Sequence, residues 1–164
     1  MKRIGLMSDT HGHIPNALYK HFRDVDEIWH AGDVGPISVI EELEQFKPLR
    51  GVYGNIDDEQ VRRVFPRSLD FTCEGMRINM LHISGKPYKY SREAYELIQQ
   101  NKPQIFVCGH SHIVKVQYIK QQDLLWLNPG ACGNKGFHKV KTLLRFSIDQ
   151  GKAKDMELIE LGPR

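Results

Sequence analysis

The stretch Ser8-Asp9-Thr10-His11-Gly12-His13 follows the apolar-leaning run 2–7 and interrupts it with polar side chains. Residues two apart in an extended segment point to the same side, so Asp9 and His11 can present a carboxylate and an imidazole to one point where the strand ends. This pair predicts a metal-binding position. On this stretch alone, a polar turn that carries an ordinary surface histidine explains the same residues equally well.

Three later segments show a similar pattern, in which a glycine adjoins a potential metal ligand just past an apolar run. They are Ala31-Gly32-Asp33, Tyr53-Gly54-Asn55-Ile56-Asp57 and Cys108-Gly109-His110-Ser111-His112. His82 comes at the end of a further apolar run. Because ligands collect at the carboxyl ends of the strands in a βαβ sheet, we expect these side chains to meet at one edge.

The composition is that of an ordinary globular protein. The 164 residues are 40% apolar and 26% charged, and we expect a single domain over residues 1–164. No apolar run approaches the ~20 residues that span a bilayer, and the chain does not open with a signal-peptide pattern, so we expect a cytoplasmic protein with no membrane partner. Three cysteines without paired or zinc-finger spacing are expected to be reduced, buried thiols.

The net charge of +3 comes from well-mixed basic and acidic residues. This balance permits an anionic substrate without identifying one. No block of like charge resembles a nucleic-acid arm, so the charge pattern does not point to nucleic acid, which stays open as a partner. A homo-oligomer is also left open.

Strands and helices alternate in the predicted secondary structure. Apolar periodicity, prolines and capping residues predict helices at 15–23, 36–47, 58–65 and 91–100, and strands at 2–7, 27–31, 49–53, 69–73, 76–83, 104–108, 114–119, 124–127, 142–148 and 154–161. Glu74-Gly75 and the segment 149–152 predict tight hairpin turns. The first half therefore alternates strands and helices like the βαβ units of an α/β protein, and the second half is richer in strands.

Seven side chains at strand exits form a candidate metal-ligand set: Asp9, His11, Asp33, Asn55, His82, His110 and His112. Imidazole and carboxylate together favour Mn, Zn, Fe or Ni. Seven ligands exceed one tetrahedral site, whereas two divalent ions about 3.5–4 Å apart would use them all. We expect Asp33 to bridge the ions, because it falls between the ligand groups in sequence and has an oxygen for each. Such a pair would hold a hydroxide and bind the oxygens of a phosphate.

Other residues with suggestive chemistry have ordinary interpretations. His21, His30 and His138 lack a ligand-like context, so we expect surface or core packing for each. Trp29 and Trp126 are expected in the core.

The ordered motifs Asp9-x-His11, Gly32-Asp33, Gly54-Asn55-x-Asp57, His82 and Gly109-His110-x-His112 resemble the calcineurin-like metallophosphoesterase superfamily. The short chain, Ser8–Gly12 and Asn128-Pro129-Gly130 look most like its small prokaryotic phosphodiesterase branch, which is related to the retromer subunit Vps29. The resemblance implies a four-layer α/β/β/α sandwich of two mixed sheets flanked by helices. It also implies that Asp9, His11 and His112 bind one ion, that Asn55, His82 and His110 bind the other, and that Asp33 binds both.

The resemblance predicts a metal-dependent phosphodiesterase that uses a bridging hydroxide, with Asp33 and Asn55 as catalytic residues. The expected substrate is a small phosphodiester or nucleotide-like molecule, contacted by Asn55 and by His13, although a solvated turn explains His13 equally well. Ile56 stands where many family members have a histidine that helps the leaving group, which favours diesters with good leaving groups. The alternative is a Vps29-like protein-interaction scaffold with a vestigial metal site. The complete set of seven ligands favours the enzyme.

Overall fold

The computed structural model describes all residues 1–164, and its regular secondary structure is mainly β-strand. The strands in chain order are β1 (Lys2–Met7), β2 (Glu27–His30), β3 (Leu49–Gly51), β4 (Ser68–Cys73), β5 (Met76–Leu81), β6 (Gly85–Lys86), β7 (Lys89–Tyr90), β8 (Ile105–Val107), β9 (Val114–Ile119), β10 (Leu124–Pro129), β11 (Val140–Asp149) and β12 (Lys152–Pro163). The helices are α1 (Ala17–His21), α2 (Ile37–Phe46), α3 (Glu59–Val64) and α4 (Arg92–Asn101), with a 3-10 turn at Lys120–Gln122.

Ten of these strands form two five-stranded mixed sheets. The first sheet has the order β12-β11-β1-β2-β3 and the second has the order β4-β5-β8-β10-β9, while β6 and β7 form a separate ribbon. In the first sheet β1, β2 and β3 are parallel, and in the second β5, β8 and β10 are parallel. The remaining pairs are antiparallel. Each sheet thus has three parallel strands whose carboxyl ends share one edge.

The alternation of side chains along β1 shows how the layers are stacked. Ile4 and Leu6 are buried between the two sheets, in a cluster that includes Met80 and Val107 of the second sheet. Met7 belongs to the cluster on the opposite face, under the helices. A Cβ at Gly5 would come within 2.8 Å of the Phe22 ring, so the helical layer packs directly on the strand backbone at this residue.

Helices cover the outer face of each sheet. Leu18 of α1, Leu43 of α2 and Val61 of α3 pack on the first sheet. Ala94 and Ile98 of α4 pack on the second. The predicted four-layer α/β/β/α sandwich is therefore confirmed. The longest helices, α2 and α4, have ten residues each, and no helix is long and apolar enough to cross a membrane.

Several local predictions are confirmed. Glu74 and Gly75 have φ of 47° and 83°, and Gln150 and Gly151 have φ of 49° and 76°, which is the conformation of the type I′ hairpin turns. Ser91 caps α4 by accepting a hydrogen bond from the Ala94 amide at 3.2 Å. The tryptophans expected in the core, Trp29 and Trp126, are fully buried, and the three cysteines are buried and unpaired.

Other boundaries were wrong. The helix predicted at 15–23 is only Ala17–His21, because the Leu18 amide donates to the Pro15 carbonyl in a tight turn rather than in an α-helix. The strands predicted at 49–53 and 76–83 stop at Gly51 and Leu81. The β6–β7 ribbon was not predicted, since two-residue strands give no alternating pattern.

Candidate metal centre

The carboxyl ends of β1 and β2 bring the first predicted ligands together. The Asp9 amide donates to the Gly32 carbonyl at 2.9 Å, and the His11 amide donates to the Asp33 carbonyl at 3.0 Å. These two hydrogen bonds continue the pairing of the strands into their loops. The side chains of Asp9 and Asp33 are buried beneath the half-buried His11.

The second sheet supplies His82 after β5, and His110 and His112 after β8. The His110 amide donates to Asp9 Oδ2 at 3.2 Å, which joins the loops of the two sheets. A Cβ at Gly109 would lie 2.2 Å from Ser8 Oγ and 2.9 Å from Asp9 Oδ2. The close approach of the two sheets at this edge therefore requires glycine.

The six Asp and His side chains form two groups, each with its potential ligand atoms within 4.8 Å of one another. The first group is Asp9, His11 and His112, and the second is Asp33, His82 and His110. Asp9 Oδ1 lies 3.1 Å from His112 Nε2, and Asp33 Oδ2 lies 3.2 Å from His82 Nε2. Asn55 adjoins the second group, with its Oδ1 3.1 Å from His110 Nδ1. All seven residues singled out in the sequence therefore lie at this edge.

Asp33, a member of the second group, also faces the first group. Its Oδ2 is 3.2 Å from His82 Nε2 in the second group and 3.4 Å from His11 Nε2 in the first. Its other oxygen, Oδ1, accepts a hydrogen bond from the Ile56 amide at 3.1 Å. One carboxylate oxygen thus faces both groups, while the other is held by the backbone.

Divalent ions fit the donor atoms of these groups. Asp9 Oδ1, His11 Nε2 and His82 Nε2 are buried without a hydrogen-bond partner. Leaving such an atom unpaired costs about 1–3 kcal/mol, and an ion in each group would satisfy all three. Ligand bonds of ~2.0–2.2 Å place neighbouring ligand atoms roughly 3.0–3.5 Å apart, depending on the coordination geometry. The distances of 3.1, 3.2 and 3.4 Å between donor atoms match this spacing.

Hydrogen bonds on the far side of two imidazoles direct their Nε2 lone pairs to the centre. His82 Nδ1 donates to the Ala31 carbonyl at 2.7 Å, which leaves Nε2 unprotonated in the neutral ring. His138 Nε2 donates to the Gly133 carbonyl at 2.8 Å, so its Nδ1 accepts from His112 Nδ1 at 3.2 Å. His138 therefore orients His112, a role that sequence reasoning missed.

His30 connects the two ligand loops of the first sheet from behind. The Gly32 amide donates to His30 Nδ1 at 3.1 Å, so Nε2 carries the proton and donates to Thr10 Oγ1 at 3.0 Å. Thr10 in turn donates to the Val34 carbonyl at 2.7 Å. Burial lowers the pKa of His30 to about 4, which keeps the ring neutral as this pattern requires. The sequence analysis expected surface or core packing for His30; the structure places it in the core and adds this connection, which the sequence did not reveal.

Electrostatics keep both carboxylates ionised. Burial alone would raise the pKa of Asp9, but the neighbouring His11 and His112 rings and the hydrogen bond from Ser8 outweigh it and hold the pKa far below its usual range. Burial opposes ionisation of Asp33 as well, yet the neighbouring His82 and the hydrogen bond from the Ile56 amide outweigh it and lower the pKa of Asp33. Both carboxylates of the centre are therefore anionic.

Five of the six Asp and His residues adopt the left-handed backbone conformation. Their φ values lie between 44° and 70°: Asp9, His11, Asp33, His110 and His112. This conformation is uncommon outside glycine, although Asp, Asn and His adopt it more readily than other residues. The turns that follow β1, β2 and β8 are therefore built from the ligand-type residues themselves.

The remaining predicted site residues lie around this centre. Asn55 and Ile56 are exposed at its mouth, with Ile56 46% exposed. His13 is half-buried, its amide donates to the Thr10 carbonyl at 2.9 Å, and its side chain forms no hydrogen bond. Asp57 is part of the motif Gly54-Asn55-x-Asp57. It accepts hydrogen bonds from the Gly35 and Gly54 amides at 2.9 and 2.7 Å and so joins the loops after β2 and β3.

A four-layer α/β/β/α sandwich with carboxylates and imidazoles gathered at one strand edge defines a class of metal-dependent hydrolases. Residues 1–151 match the calcineurin-like phosphoesterase superfamily domain. The chain belongs to this superfamily. It is therefore a phosphoesterase, and the family together with the two side-chain groups indicates divalent metal binding.

Individual relatives agree with this assignment. The chain is 32% identical over 133 residues to a probable metallophosphoesterase of Methanothermobacter thermautotrophicus, covering 78% of this chain and 76% of the relative. It is 28% identical over 142 residues to a phosphodiesterase of Methanocaldococcus jannaschii, covering 79% and 84%. The crystal structure of an Entamoeba histolytica Vps29 mutant shares the fold, with a TM-score of 0.76 at 16% identity over 98% of this chain and 99% of that one.

Proposed function

We propose that the protein is a phosphodiesterase with a centre of two divalent ions. Asp9, His11 and His112 hold one ion, Asn55, His82 and His110 hold the other, and Asp33 holds both. The observation that carries the proposal is the position of Asp33 Oδ2, 3.4 Å from His11 Nε2 and 3.2 Å from His82 Nε2. One oxygen placed between two groups of three ligands suits a shared ligand better than a second closed site.

The chain positions these groups before substrate arrives. Two bound ions supply a nucleophile from water at neutral pH and neutralise negative charge on the phosphoryl oxygens. The Ile56 amide fixes the carboxylate of Asp33, and hydrogen bonds to Ala31 and His138 fix the rings of His82 and His112. Asn55, exposed at the mouth, is the residue we assign to contact the substrate phosphate, with His13 as the second candidate.

The preference for diesters is supported by Ile56. Its exposed aliphatic side chain follows Asn55 at the mouth of the centre and has no proton to donate to a departing oxygen. A diester with an acidic leaving group needs that proton least. We therefore assign a small phosphodiester or nucleotide-like molecule as the substrate.

The alternative of a Vps29-like interaction scaffold is less consistent with the site. A scaffold gains nothing from burying three polar atoms without partners, each at a cost of about 1–3 kcal/mol. The likeness to Vps29 is one of fold alone.

Two measurements test the proposal. One is the metal content by elemental analysis after loading with Mn²⁺, and the other is the hydrolysis of bis(p-nitrophenyl) phosphate. We expect close to two ions per wild-type chain. Asp33→Ala should lose both ions because it removes the shared ligand, whereas His11→Ala should keep about one. His21→Ala, which changes a histidine outside the centre, is the matched control. Saturation of the wild type at one ion with full activity would contradict the two-ion centre.

A further inference from the structure

A pocket of about 200 Å³ opens next to the proposed metal centre. Asn55 and His82 form part of its wall, so it is continuous with the position assigned to the substrate phosphate. Tyr53, Arg62 and Arg67 form another part, with Leu81 and Ile83 as the apolar remainder. The pocket therefore joins the proposed reaction centre to a cationic surface that has no role in metal binding.

Arg62 is fixed in place without having its charge compensated. Its Nε donates to the Asp57 carbonyl at 2.8 Å, and its guanidinium lies 4.5 Å from the centroid of the Tyr53 ring. No carboxylate lies within ion-pair distance of it. The neighbouring arginines differ, since Arg63 pairs with Glu59 at 2.6 Å and Arg67 pairs with Glu93 at 2.9 Å.

This arrangement suits an anion that enters the pocket. Stacking on Tyr53 and the bond to Asp57 restrict the side chain, so little further ordering is needed when a ligand binds. The Nη donors remain free and have the fork geometry that matches phosphate oxygens. Asp57 is itself held by the Gly35 and Gly54 amides, which ties the position of Arg62 to the loops that carry Asp33 and Asn55.

We propose that Arg62 forms a subsite for a second phosphate group of the substrate, separate from the phosphate that is hydrolysed. The inference rests on the proposed function, since it takes the scissile phosphate to lie at Asn55 and His82. It narrows the substrate class to phosphodiesters that carry a further phosphate, such as nucleotides with phosphates at both ends of the sugar.

The test compares two esters with the same leaving group, thymidine 5′-(p-nitrophenyl phosphate) with and without a 3′-phosphate. We expect the wild type to favour the 3′-phosphorylated ester by about tenfold or more in kcat/KM, mostly through KM, because hydrogen bonds to charged groups contribute about 1.5–3 kcal/mol. Arg62→Gln should bring the ratio close to one. Arg62→Lys should restore it only in part, since an ammonium group lacks the planar fork.

Arg63→Gln is the matched control on the same helix and should keep the wild-type ratio. Calorimetric binding of thymidine 3′,5′-bisphosphate and thymidine 5′-phosphate to the Mn²⁺-loaded protein provides a readout without turnover, and Arg62→Gln should weaken only the bisphosphate, by a similar factor. Equal ratios and affinities in wild type and Arg62→Gln, with both esters hydrolysed, would overturn the subsite alone. Failure to hydrolyse either ester would instead contradict the proposed function, while the binding comparison would still decide the subsite.

Discussion

Single residues outside the ligand set determine how the ligands present their lone pairs. His82 and His112 each have one ring nitrogen engaged by a protein acceptor, the Ala31 carbonyl and His138 Nδ1 respectively. The engaged nitrogen carries the proton, so the other nitrogen faces the centre as a lone pair. His138 lies 26 residues after His112 in the chain, and no short motif links the two. Sequence spacing therefore identifies the candidate ligands but not the residues that orient them.

The backbone and the side chain of Ile56 have separate roles. Its amide donates to Asp33 Oδ1, while its side chain is exposed at the mouth of the centre. A substitution can thus change the side chain and leave the backbone contact to Asp33 intact.

Ile56→His should increase turnover of substrates with poor leaving groups, because general acid catalysis supplies typically ~10²–10⁴-fold in rate and helps most when the departing oxygen is basic. We expect the wild type to hydrolyse aryl diesters far faster than alkyl monoesters, and the variant to narrow that gap. The measurement is the dependence of kcat/KM on the pKa of the leaving group, which should be steep in the wild type and flatter in the variant. A flat dependence in the wild type, with chemistry rate-limiting, would show that another residue donates the proton, and His13 would be the first to test.

Glu27 joins the three parallel strands of the first sheet at the end opposite the proposed metal centre. Lys2 of β1 and Arg50 of β3 donate to it at 3.1 and 2.8 Å, and Trp29 Nε1 donates at 2.7 Å. Arg50 also lies 4.1 Å from the ring centroid of Phe71 in the second sheet. One buried carboxylate therefore holds the amino-terminal ends of β1, β2 and β3 in register.

This cluster predicts a loss of stability in acid. Burial would raise the pKa of Glu27, but hydrogen bonds from Arg50, Trp29 and Lys2 outweigh it, so its pKa is lowered from the ordinary 4.5. A lowered pKa contributes stability that is present above about pH 4.5 and is lost as the pH falls through the folded-state value.

Glu27→Gln should therefore reduce the free energy of unfolding at pH 7 by about 1–2 kcal/mol, a modest figure because Lys2 and Arg50 are partly exposed. It should also flatten the fall in stability between neutral pH and pH 3.5. Urea denaturation of chelator-treated protein measures both effects. Glu44→Gln, an exposed position on α2 without a hydrogen bond, should behave like the wild type. A pH dependence identical in Glu27→Gln and wild type would show that this carboxylate does not contribute.

The succession of strands along the chain and the edge where the ligand-type side chains gather could be predicted because both depend on local patterns. The apolar run of β1 is followed at once by Asp9 and His11, and the carboxyl ends of parallel strands necessarily share an edge. The Arg62 pocket and the partners of His30 could not be predicted, since they depend on which distant side chains the fold brings together. The single domain, the cytoplasmic location and the roles of the seven candidate ligands and His13 stay predictions.

The proposed metal centre lies at an edge of the sandwich to which both sheets contribute ligand-type side chains. Asp9 and Asp33 come from the first sheet, and His82, His110 and His112 come from the second. Ions bound there would tie the two halves of the sandwich together, because each group of ligands includes residues from both sheets.

Chelation of the metal should therefore lower the thermal stability of the whole fold. A ligand at a hundred times its Kd adds about 2.7 kcal/mol to the free energy of unfolding. For a chain of this size that corresponds to roughly 5–10 °C in Tm. Differential scanning calorimetry with Mn²⁺ and with a chelator measures the difference, and Asp33→Ala should show little of it. A wild-type Tm that does not respond to metal would contradict an ion shared between the sheets.

The left-handed conformations of Asp9, His11, Asp33, His110 and His112 also have a consequence for substitution at these turns. Glycine adopts this conformation without the steric cost that an L side chain pays, so glycine at any of the five positions would relieve the backbone and at the same time remove a candidate ligand. The residue that suits the backbone best is therefore the one that cannot bind an ion, and the two demands conflict at every one of these positions.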